Sequence, residues 1–185
     1  MNYSTGKKIV IASFAASMLV SLLSFALISF ISSNEVLSLF NTVTSLISNV
    51  IPTVTALGFA VMYSYSNNKY NLALAIAAVF PFFSTLLAYV LPYTVLGSII
   101  YLTFDACMYA VLPLAWALKW RSRAPIVSVV FVIFAIWHAV NPMLLTLPIV
   151  ENAINYNTSF YITVIMAISC LYALVCIASA ALERE

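Results

Sequence analysis

Long apolar runs alternate with brief polar breaks along the whole chain. The breaks fall at Asn34–Glu35, Asn67–Lys69, Pro92–Tyr93, Lys119–Arg123 and Glu151–Asn157. Each interval between them is close to the ~20 residues a helix needs to cross a ~30 Å hydrocarbon core. In lipid a backbone must satisfy its own hydrogen bonds, and a helix does this within one segment. The pattern therefore predicts an all-α, polytopic membrane helix bundle, a single transmembrane domain over 1–185. About six transmembrane helices are expected, at 9–32, 42–66, 71–91, 95–118, 125–147 and 159–182.

The second interval departs from a plain span. Apolar residues recur at 36, 37, 40, 43, 47, 50 and 51, while Ser38, Asn41, Thr42, Ser45, Ser48 and Asn49 fill the other side. This is a helical period with an uncharged polar stripe, blurred by Leu39 and Leu46. As one helix, residues 36–66 would reach about 46 Å at ~1.5 Å per residue, too long to cross upright. An outer amphipathic or tilted segment is predicted, then a bend at Pro52, then the crossing piece. The stripe suits a polar face packed on neighbouring helices as well as the lining of a watery vestibule.

The break at Pro92–Tyr93 is the weakest, and fusing its two flanking spans would leave five. Charge decides against that. With six spans, Lys7, Lys8, Lys69, Lys119, Arg121, Arg123 and Arg184 all fall on one face, while Glu35 and Glu151 take the other. Basic residues are retained on the cytoplasmic side during insertion, so both termini are predicted to be cytoplasmic. Five spans would move Lys119, Arg121, Arg123 and Arg184 outside. Tyr63, Tyr65, Tyr70, Trp116 and Trp120 near the basic face, with Tyr93, Tyr156, Phe160 and Tyr161 near the other, suit headgroup depth.

Composition agrees: of 185 residues, 65% are apolar and 6% charged, against roughly a quarter charged in soluble domains. The lipid bilayer is the main partner, with the cell membrane the expected location. A net charge of +2 without a basic run excludes nucleic acid. The apolar run after Lys7 and Lys8 continues to Ile31, through a small-x-small match at Ser24–Ala26. It exceeds the roughly 7–15 residues of a cleavable signal, so it reads as an uncleaved first helix. Cys107, Cys170 and Cys176 lie in apolar runs and read as packing residues, not as a disulfide framework or thiolate site. One histidine and three glycines leave no support for a bis-imidazole haem, a tetrahedral zinc, a phosphate loop or a serine-hydrolase elbow. No cofactor or metal is expected. Asn157-Thr158-Ser159 is an exterior glycosylation sequon abutting the membrane.

Two side chains that titrate near neutral or acid pH fall inside the predicted hydrocarbon: Asp105 in the fourth span and His138 in the fifth. A charge at mid-membrane costs at least ~2.5–3.5 kcal/mol, so such groups are paired or face water. Asp105 lies 17 residues before Ser122, at the centre of the connecting loop, and His138 lies 16 after it. On an antiparallel hairpin they would differ in depth by about 2 Å. Tyr101 and Tyr109 flank Asp105 on its helix face, and Asn141 shares the face of His138. Pro113 and Pro142 free the carbonyls of Tyr109 and His138, and bends are expected at Pro52, Pro81, Pro113 and Pro142. An Asp105–His138 contact would serve either as a tie between helices or as a proton- or cation-linked site.

Three functions remain open. A small permease or ion-coupled carrier fits bent helices converging on a polar site. An accessory subunit of a larger membrane complex, or a homo-oligomer, fits a chain with almost no extramembrane mass. An intramembrane enzyme using Asp105 and His138 as acid and base lacks any marked nucleophile.

Overall fold

The structure is a computed structural model that describes residues 2–30, 34–91, 94–144 and 158–183. Side chains are described within these ranges except at 27–30, 34–42, 45, 46, 48, 49, 85, 88, 89, 95, 143, 144, 158 and 159. All of the described elements are helices: α1 (Tyr3–Phe30), α2 (Asn34–Ser66), α3 (Lys69–Val90), α4 (Val95–Trp120), α5 (Pro125–Leu144) and α6 (Thr158–Leu182). Among the described residues, four apolar stretches are long enough to cross a membrane: Tyr3–Ala26, Leu96–Trp120, Pro125–Pro142 and Phe160–Leu182. Val50–Ser66 and Lys69–Ser84 are shorter apolar stretches. The chain is an all-α integral membrane protein. Large apolar side chains face outward, among them Ile126 at 81% exposure and Leu96 at 68%, as lipid contact allows and water would penalise.

Local chemistry explains the helix boundaries. Asn67 turns the chain with φ 48°, a left-handed conformation that asparagine tolerates better than most residues. Asn68 then caps α3, its side-chain oxygen accepting from the Tyr70 amide at 3.0 Å. Thr94 caps α4 through the Gly97 amide at 3.1 Å. Pro125 opens α5, where its missing N–H has no helical role. α3 and α4 are separate elements, consistent with a break at Pro92–Tyr93, which themselves lie outside the described residues.

α2 is one 33-residue helix running through Pro52. One proline removes one backbone bond, and the bonds on either side carry the helix past it. Pro81, Pro113 and Pro142 also lie within continuous helices. The side chains of the predicted stripe, Ser38, Asn41, Thr42, Ser45, Ser48 and Asn49, lie outside the described residues.

Successive helices pack side by side, α1 on α2, α2 on α3, α3 on α4 and α4 on α5, while α6 returns to α1. The register is antiparallel throughout. Ser13 meets Thr55 while Gly6 meets Gly58 and Met62. Asn71 meets Lys119 while Ser84 meets Asp105. Tyr3 meets Glu183 while Phe14 meets Tyr172. Tyr172 closes the ring of helices by packing on Phe131 and Phe134 of α5.

Candidate functional site

Three tiers follow one another along the bundle from the end where α1 begins and α6 finishes. The first is polar. Glu183, just past α6, accepts on Oε1 from the Tyr3 hydroxyl at 2.6 Å and from the Lys119 ammonium. Lys119 also donates to Asn71, which donates to the Ser66 hydroxyl at 3.1 Å. Lys7 donates to the carbonyls of Ala181 and Glu183 at 2.6 and 2.8 Å. Five helix ends are tied this way, and Ser128 of α5 adds the sixth by donating to the Ala117 carbonyl of α4 at 2.8 Å. The Lys119 and Glu183 side chains are 3% and 2% exposed. Lys119 was expected in an exposed basic break. Instead it occupies the last turn of α4, where a buried charge requires this counter-charge.

The second tier is an apolar, largely aromatic core. Trp116 stacks on Phe131 with centroids 5.5 Å apart and meets Phe59 edge-on at 5.5 Å. Val10, Met62, Leu74 and Cys176 complete it, all fully buried. Every helix contributes, so this layer separates the polar end from what lies beyond.

The third tier is a cavity of about 240 Å³, and all six helices line it. Phe14, Ser17 and Ser21 come from α1; Ile51, Pro52 and Thr55 from α2; Ala78 and Pro81 from α3. Tyr109 and Leu112 come from α4, His138 from α5, and Ser169 and Tyr172 from α6. The His138 ring stacks on Tyr109 at 6.3 Å and 26° and meets Tyr172 edge-on at 5.3 Å. Among the described residues, neither imidazole nitrogen has a hydrogen-bond partner. Ser169 donates to its own helix at the Ile165 carbonyl at 2.9 Å, which leaves its oxygen able to accept, while the Thr55 hydroxyl lies within hydrogen-bond distance of both the Ile51 carbonyl at 2.9 Å and Ser13 Oγ at 2.8 Å.

The residues singled out from the sequence divide between two places. His138 and Tyr109 line the cavity, with Pro52 and Pro81. Asp105 lies outside the lining, half-buried between α3 and α4, where the Ser84 hydroxyl donates to Oδ1 and the Tyr101 hydroxyl lies close to both. No Asp105–His138 ion pair forms among the described residues, where the single salt bridge is Lys119–Glu183. Residue spacing sets depth along a helix but not its rotation. On α4 the residue that meets His138 is Tyr109, one turn nearer the polar end, while the carboxylate turns to α3 and takes hydroxyl donors there. Asn141 accepts from the Tyr161 hydroxyl at 3.2 Å and ties α5 to α6. Pro113 is buried, and Pro142 lies one turn beyond His138.

No group of three metal-ligating side chains occurs among the described residues. No protein-family model matches the chain, and no curated protein or solved structure matches it either.

Proposed function

We propose that this protein is a small permease of the cell membrane, moving a solute through the cavity at His138. One observation carries the reading: all six helices converge on a void that holds hydroxyls, aromatic rings and an imidazole without a hydrogen-bond partner among the described residues. A bundle selected for packing alone would fill such a space, since each lost contact weakens a close-packed interior. Transporters keep a site of this kind near the bilayer midplane between helices that move as units. The tied end, rich in Lys7, Lys8, Lys69, Lys119, Arg121 and Arg123, is cytoplasmic by the retention of basic residues, with both termini there and six crossings. In this reading the tied helix ends and the aromatic core beneath the cavity are its closed inner gate.

The reading is tested by reconstitution. Purified protein in liposomes is expected to speed entry of a small solute over empty vesicles, and Ser169→Phe, which fills the cavity, is expected to abolish the gain while the protein stays folded. No acceleration with neutral, anionic or cationic solutes, with or without a pH gradient, would contradict it.

A second reading, an accessory subunit of a membrane complex, draws on a different surface. A groove of about 400 Å³ between α1 and α2 is lined by Ala12, Ser13, Ala16, Ile47, Val50, Ile51 and Val54. Small residues of this kind let another helix approach closely. A partner of fixed stoichiometry retained through mild-detergent purification would favour it over the permease.

A further inference from the structure

Resting on the permease reading, we infer that the cavity binds an uncharged, flat heteroaromatic ring with a hydrogen-bonding edge, a molecule of the nucleobase kind. Charge is the first constraint. Among the described residues, no acidic or basic side chain lines the cavity. Two of the lysines at the closed end are committed, Lys119 to Glu183 and Asn71, and Lys7 to two carbonyls. Asp105 is occupied by Ser84 and lies outside the lining. An ionic ligand would lose its water there and find no counter-ion, whereas a neutral one avoids that cost.

Shape is the second constraint. A dry cavity of about 150 Å³ holds one benzene ring, so about 240 Å³ holds a six-membered ring with its substituents. Phe14, Tyr109, His138 and Tyr172 bring rings from four helices to the lining, packed on one another with Tyr109 stacked on His138 and with Phe14 and His138 edge-on to Tyr172, and a flat ligand extends such a cluster by stacked or edge-on contact. Polarity is the third. A neutral imidazole has one donor and one acceptor nitrogen, and both lack protein partners among the described residues. The Ser169 oxygen adds an acceptor. An aliphatic solute would leave the rings unused, and a plain hydrocarbon ring would leave the imidazole unpaired. A ring edge with N–H and C=O groups satisfies both, and such molecules cross lipid slowly enough to need a carrier.

Uracil and its carboxylate, orotate, are the probes, measured by equilibrium binding to the purified full chain in nanodiscs. Uracil is expected to bind and orotate to bind about a hundredfold more weakly, the factor that burying one unpaired charge implies. His138→Phe keeps the ring packing but removes both nitrogens. It should weaken uracil about tenfold with unfolding temperature unchanged, while benzene binding persists. Orotate binding as well as uracil, or no uracil binding above that of empty nanodiscs, would overturn the inference. Uptake into liposomes separates it from the parent reading. Uracil bound but not moved would contradict the permease alone. An ionic solute moved while uracil is neither bound nor moved would contradict the ligand class alone.

Discussion

Lys119, at 3% side-chain exposure, is met by Glu183 and Asn71, and the Tyr3 hydroxyl donates to the same carboxylate oxygen, Oε1, while Oε2 is buried with no hydrogen-bond partner among the described residues. Removing one partner of such a pair leaves the other buried and uncompensated. Glu183→Gln is therefore expected to lower stability by about 3–5 kcal/mol, read as a fall in unfolding temperature in detergent. The paired change Lys119→Met with Glu183→Leu should recover most of the loss, because burying two apolar chains avoids desolvating two ions. A single variant as stable as wild type would show that the pair is exposed to water. These two residues were not recognisable as a pair in the sequence. Lys119 reads as one of several basic residues after a span, and Glu183 as a polar residue past the last one. The available signal was topological: if both ends of the chain share a face, the acid after α6 stands beside the base ending α4. Asp105 and His138 were legible as intramembrane polar residues. Their partners were not, because spacing leaves helix rotation undetermined.

At the scale of elements, the positions of the helices were legible and their closest approach was not. Three of the expected spans, 71–91, 95–118 and 159–182, coincide with α3, α4 and α6 to within a few residues. Apolar length dictates this once lipid is the solvent. α1 and α2 cross at Gly6 and Gly58, two glycines on different helices that form no motif in either segment. A Cβ added to Gly6 would stand 2.7 Å from the Gly58 carbonyl oxygen and 2.9 Å from the Met62 amide nitrogen. These are backbone atoms, so the helices must separate to admit it. Gly6→Ala should cost about 1–3 kcal/mol in thermal unfolding, in the range of overpacked cores. Leu19→Ala, on an outward face at 56% exposure, should change stability far less. Equal effects from the two would mean that the α1–α2 crossing is looser than described. Ala12 and Ala16 line the groove between α1 and α2.

For the molecule as a whole, the tiers stand at different depths: a charged cluster, an aromatic core, and a cavity above them. Composition announces the bundle, since so few charged residues cannot clothe a water-facing surface. The cavity was not announced, because its lining takes one to three residues from each of six helices, and no local pattern records that convergence. The permease account requires water and solute to reach this space. The most direct measurement places a thiol in it: Ser169→Cys, in a chain carrying Cys107→Ala, Cys170→Ala and Cys176→Ala, treated with a membrane-impermeant thiol reagent in sealed vesicles of each orientation. The account predicts modification from at least one face, slowed by saturating solute. A thiol inert from both faces would show a closed, dry void and would contradict it.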